Sequence, residues 1–185
     1  LPLRPDYFEW CPIRPGILRW DVGFGTGFAD HCEKAVAGQE LRLNRSLVWS
    51  NENWVIPSVY LCENGIVVDS YLEVPGENMA KFQEKWSHRN IEQMSIEEQM
   101  RRKLEDPLGV EARASLAVND KLVPLKKVME LRWDPTLEND WHARRTFEHY
   151  GWDRNKAYLL RREHFLRKGK NPPIREMALT LMAAP

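Results

Sequence analysis

From Glu40 onward the chain alternates apolar and polar positions. Leu41, Leu43, Leu47 and Trp49 share one parity with polar residues between them, and a period of two sends successive side chains to opposite faces of a strand. A second apolar stretch, 54–62, carries Pro57, which marks a bulge or an edge because proline donates nothing to a ladder. Glu63-Asn64-Gly65 reads as a hairpin turn, since Asn-Gly accepts the positive φ angles a tight turn needs. Residues 66–74 return as a strand rich in β-branched side chains. The connections leave no room for crossover helices, so the three segments predict an antiparallel meander.

The period then changes. Pro75-Gly76 stops the third strand, and Met79, Phe82 and Trp86 fall at helical spacing over 77–86. Ser95-Ile96-Glu97-Glu98 is a capping box, in which Ser95 and Glu98 satisfy each other's backbone donors. It announces a helix that runs to about Leu104 and stops before Asp106-Pro107. Residues 110–118 alternate again, Asn119-Asp120 reads as a turn, 122–133 as one strand, and Asp134-Pro135 breaks the chain. A helix over 139–150 places Ala143, Phe147 and Tyr150 on its buried side, with Gly151 closing it. Residues 157–167 fit neither period, and 174–182 alternates as a strand. At the other end, Pro2, Pro5, Pro12 and Pro15 exclude regular helix over 1–16, which reads as an extended arm laid across a sheet edge. A short strand over 17–22 follows. Together these predict a single β-rich α+β domain over 1–185. Its antiparallel sheet forms a β-sandwich, with a helical insertion at about 77–105, a second helix at about 139–150 and a proline-rich arm.

Composition narrows the function classes. The 185 residues carry 27 Lys/Arg against 27 Asp/Glu, so the whole chain is not a general polyanion binder. The balance is uneven, with ten Lys/Arg against four Asp/Glu over 141–185. Cys11, Cys32 and Cys62 are an odd count without paired metal-ligand spacing, which argues against a disulfide framework or a zinc site. A reducing, cytoplasmic setting is the expectation that follows. No stretch approaches eighteen consecutive apolar residues, as a membrane-crossing helix requires. The Leu-Pro opening reads as that of a piece of a longer chain. Eight tryptophans could stack on a glycan or a base; scattered singly, they read first as packing residues.

One stretch carries candidate chemistry. Asp21-Val22-Gly23-Phe24-Gly25-Thr26-Gly27, preceded by the apolar Ile17, Leu18 and Trp20, resembles the first motif of S-adenosylmethionine-dependent methyltransferases. The resemblance implies a parallel sheet, with Asp21, Gly23, Gly25 and Gly27 binding the cofactor. Asn171-Pro172-Pro173-Ile174 similarly looks like the Asn-Pro-Pro-aromatic loop of amino-group methyltransferases, ending here in Ile. The surroundings of the first motif conflict with that frame. Arg19 interrupts the preceding strand, Asn44 stands where an acid should bind ribose, and a meander follows where crossovers should. The structural alternative is that three glycines spaced by two permit a bulge, a bend or close approach of another backbone.

The remaining residues favour binding over catalysis. His142 and His149 lie seven apart, two helical turns, as exposed helix histidines rather than metal ligands. Arg144, Arg145, Arg154, Lys156, Arg161, Arg162, Arg167, Lys168 and Lys170 are interleaved with Trp141, Trp152, Tyr158 and Phe165, a composition that also suits a nucleic acid or other polyanion. The expectation is a non-enzymatic binding or interaction domain with no cofactor and no metal. Trp141, Arg145, His149 and Trp152 are its candidate contact surface. A protein partner or adjoining domain is expected ahead of a small molecule or glycan, with nucleic acid disfavoured and no membrane.

Overall fold

The computed structural model describes residues 14–17, 39–49, 52–62, 65–111, 114–172 and 177–183. The alternating segments form strands β1 (Arg14–Ile17), β2 (Gln39–Trp49), β3 (Glu52–Leu61), β4 (Gly65–Pro75), β5 (Ala114–Val118), β6 (Lys121–Val123), β7 (Leu125–Trp133), β8 (Lys156–Leu166) and β9 (Leu179–Ala183). The helical periods form α1 (Gly76–Trp86), α2 (Ile96–Glu105) and α3 (Trp141–Tyr150). One sheet has six strands in the order β1-β2-β3-β4-β8-β7, and the other has three in the order β6-β5-β9. All pairings among the described strands are antiparallel.

The expected α+β, strand-rich architecture is present, and strand alternation explains its layers. On one face of the large sheet Leu41, Val59, Ile66, Val68 and Phe165 meet Leu116, Val118, Leu179 and Leu181 of the small sheet, giving a sandwich core. Farther along that face Trp54, Leu72 and Leu159 are covered by Met79, Phe82 and Trp86 of α1, with Met94 and Leu108. The residues of opposite parity meet α3: Trp152, Tyr158 and Leu160 pack with Tyr71, Leu131, Trp133 and Phe147. Both faces of β8 are therefore covered, and Ala157 through Phe165 are all buried. A strand buried on both sides loses its alternation, which is why 157–167 fitted neither period.

Three expectations change. The single strand expected over 122–133 is divided by Pro124 between β6 in the small sheet and β7 in the large one. Proline has no N–H for a ladder, and only its carbonyl is used, accepting from Leu166 N at 3.0 Å. The end of the proline-rich arm is itself a strand, β1, paired with β2 at the sheet edge; 18–22 of the expected 17–22 strand lie outside the described residues. The last strand begins at Leu179 rather than 174, and 173–176 are likewise outside.

Local signals set the helix ends. Ser95 and Glu98 form the complete capping box. Asp140 caps α3 by accepting from Ala143 N at 2.8 Å, and Gly151 closes it at φ 63°. Gly76 is required for a different reason, close approach: a Cβ there would sit 2.3 Å from the Asn155 carbonyl oxygen, which already accepts from Gly76 N at 3.0 Å. Gly76→Ala is expected to push the β4–α1 junction off the turn before β8, lowering stability by about 2 kcal/mol. Urea unfolding of the variant checks this.

Candidate functional site

The face of the large sheet beneath the C-terminal end of α3 carries charged residues that strand registers place side by side. Glu40 lies opposite Tyr60, Arg42 opposite Ser58, and Asp69 opposite Arg162. Arg162 grips Asp69 through Nε at 2.7 Å and Nη2 at 2.6 Å, a planar fork on a carboxylate. The Tyr150 hydroxyl donates to the same Asp69 and lies 2.6 Å from the Tyr60 hydroxyl. A second centre is Glu40 Oε1, reached by Ser58 Oγ at 2.6 Å, Arg42 Nε at 2.8 Å and His149 Nε2 at 3.0 Å. Arg42 Nη2 also donates to the His149 carbonyl at 3.2 Å. Its guanidinium carbon stands 5.2 Å from the centre of the Tyr150 ring.

The electrostatics match this geometry. Burial pushes Glu40 upward, but hydrogen bonds from His149 and Ser58 and the charges of His149 and Arg42 hold its carboxyl below the usual value. Burial, reinforced by the Asp69 charge, raises both Tyr60 and Tyr150 well above the ordinary phenol, keeping them neutral donors. Desolvation opposes the charge on Arg162, yet Asp69 outweighs it and leaves the guanidinium raised. His149 Nε2 also lies 3.1 Å from Arg42 Nη2. An Nε2–H ring donates to Glu40, whereas the other neutral tautomer accepts from Arg42, so a single proton decides which partner the ring takes. The residues of this cluster hold α3 against β2, β3, β4 and β8. Each carboxylate is occupied by cationic and hydroxyl donors.

A second feature lies on the opposite side of the large sheet, in the helical insertion. α2 buries no residue, and Ile96, Met100 and Leu104 are 77%, 61% and 84% exposed. At spacings of four residues they form one stripe along the helix. The other side of α2 is the one tied to the domain: Glu98 to Arg89 at 2.9 Å, Glu105 to Lys85 at 2.6 Å and to Trp86 Nε1 at 3.0 Å, and Arg102 over the Phe82 ring. An ordinary surface helix does the reverse, turning its apolar face inward.

The four candidate contact residues are not brought together. Trp141 and Arg145 stack at the start of α3, with the guanidinium 5.0 Å from the indole centre and Trp141 half exposed. His149 lies at the far end of that helix in the Glu40 cluster. Trp152 is buried, its ring stacked on Tyr158 at 4.4 Å. The basic residues are likewise dispersed: Arg162 meets Asp69, Arg161 meets Glu130, Lys156 meets Glu73 and Arg144 meets Glu138. Asp21, Gly23, Gly25 and Gly27 lie outside the described residues, while β2, β3 and β4 beyond them form the antiparallel meander. Asn171, read as the start of a catalytic loop, donates to the carbonyls of Cys62 at 2.6 Å and Gly65 at 3.0 Å, tying the chain after β8 to the β3–β4 hairpin. No group of three metal-ligating side chains occurs among the described residues. No described helix is long and apolar enough to cross a membrane.

The sequence reading missed Glu40, Arg42, Tyr60 and Asp69, and placed Arg162 only within the basic C-terminal region. The available signal was charge inside strand segments, Asp69 within 66–74 and Arg161-Arg162-Glu163-His164 within 157–167. No family model matches this chain, and neither a curated protein nor a solved structure matches it.

Proposed function

We propose that this chain is a non-catalytic protein-interaction domain that presents α2 as a docking helix to a partner protein or an adjoining domain. The observation that carries this reading is the outward stripe of Ile96, Met100 and Leu104 on a helix whose polar side is bound to its own domain. Three side chains on ten residues cannot by themselves supply the roughly 1,000 Å² that a stable interface buries, so two flat copies of the stripe do not suffice. A groove that wraps the helix does, reading anchors at positions i, i+4 and i+8. Arg101 precedes Leu104 by three residues and so lies beside it on the helix, which favours an acidic rim at that end of the groove. The clamp beneath α3 supports the non-catalytic side of the reading, since Asp69 and Glu40 are saturated by donors.

The test separates docking from folding. Ile96→Glu with Leu104→Glu should leave unfolding free energy within about 0.5 kcal/mol of the parent, because exposed positions away from special features are tolerant. A photocrosslinker at Met100, used in extract of the native source, should capture one discrete protein. The same group at exposed Glu138 should not, and the double variant should lose the adduct. Equal capture from both positions, or a double variant that unfolds easily, overturns the reading.

A further inference from the structure

Four of the basic residues after Trp141 meet acids, as described above, but Arg167 differs. It follows β8 directly, and its Nη1 is buried with no hydrogen-bond partner among the described residues. A buried N–H on a charged group is costly unless something accepts from it. Arg167 lines a groove of about 380 Å³ between the end of β8 and strand β6. Lys121 and Lys168 also line it, and among the described residues no carboxylate does. The remaining wall is apolar, formed by Leu122, Val123, Pro124 and Leu166, with Leu122 69% exposed. The volume falls within the range of small-ligand sites. The groove exists because Pro124 parts β6 from β7, opening the sandwich at this corner.

We propose that this groove binds an organic anion in which a carboxylate is carried on an apolar chain. The carboxylate pairs with the groove-lining Arg167 guanidinium, Lys121 and Lys168 supply the surrounding positive field, and the chain lies on Leu122, Val123 and Leu166. Arg167 is the specific element, because a guanidinium offers directed donors where lysine offers a point charge. A free aliphatic acid and the C-terminal carboxylate of a peptide ending in an apolar residue share this chemistry. None of these residues belongs to α2, so the proposal stands apart from the docking helix.

Calorimetric titration of the whole chain tests it with octanoate, octanol, acetate, the peptide acetyl-Ala-Ala-Leu and that peptide's C-terminal amide. Octanoate, the peptide acid or both should bind at least about tenfold more tightly than octanol, acetate and the amide, since charge-assisted bonds are the strong ones. Octanoate alone identifies a small acid as the ligand, the peptide acid alone a chain terminus, and both together the shared chemistry. Arg167→Gln should weaken binding about tenfold, with Arg167→Lys intermediate and Lys121→Gln weaker than the parent. Exposed Lys81→Gln, on α1, should change nothing. The proposal fails if octanol equals octanoate, if no carboxylate probe binds at about 10 mM, or if Arg167→Gln binds like the parent while remaining folded by circular dichroism.

Discussion

Asp69→Ala is expected to lower the unfolding free energy by about 3–5 kcal/mol, the cost of stranding one partner of a buried ion pair. Asp69 is fully buried, and Arg162 beside it is 2% exposed. Removing the carboxylate leaves a guanidinium that cannot shed its proton in an apolar layer. The variant also strips Tyr150 of its acceptor and loosens the end of α3. Replacing both charges, as Asp69→Leu with Arg162→Met, should recover most of the loss, because hydrophobic substitutes for a buried pair are often neutral. Tyr150 would still lack its carboxylate acceptor and be left with the Tyr60 oxygen, so a remainder of about 1 kcal/mol should persist. Urea unfolding of the two single variants and the double variant measures the coupling. Additive losses would show that the pair is not a unit.

The same pair explains why part of the fold was legible in the sequence and part was not. Local chemistry was readable: the capping box at Ser95, the glycine closing α3, and the alternation that made β2, β3 and β4 a meander. What escaped was set by partners far along the chain. β5 pairs with β9, more than sixty residues away, and nothing near residues 114–118 announces that strand. Asp69 acquires its partner only when β8 brings Arg162 opposite it. The stripe on α2 has the spacing of a core-facing helix, and spacing carries no sign of which way it points. Direction came from Glu98, Glu105 and Arg102 reaching back to the domain, contacts that depend on where α1 lies. The candidate surface on α3 failed to assemble for a related reason. Trp141, Arg145 and His149 share one helix stripe, but His149 at its C-terminal end is taken up by Glu40, and Trp152, past the capping glycine, is buried against Tyr158.

Glu163 gives the second large effect, and its sign is opposite to that of an ordinary acid. It is 1% exposed on the inner face of β8, between the core under the small sheet and the core under α1, and its Oε2 has no hydrogen-bond partner. Burial raises its carboxyl to about 7, only partly opposed by Arg161. Arg161 itself is shared with Glu130 of β7 at 3.0 Å, while the β4 residue opposite Glu163 is the uncharged Val68. In the unfolded chain this carboxyl titrates near 4.5, so between about pH 4.5 and pH 7 the folded protein holds a proton that the unfolded chain has released. Its contribution is therefore fully present below the lower value and is lost as pH rises through the upper one, a fall of about 3 kcal/mol. Glu40 acts in the other direction: its lowered carboxyl stabilises the fold above the ordinary carboxylate range and ceases to do so as pH falls. Glu163→Gln, a neutral side chain of the same shape, should remove the loss at higher pH and leave the acid limb from Glu40 intact. Urea unfolding of parent and variant at pH 5 and pH 8 should show their difference changing by about 3 kcal/mol, with the variant favoured at pH 8. A difference that stays constant across that interval would mean that Glu163 keeps its charge inside the sandwich, with Arg161 as an adequate counter-ion.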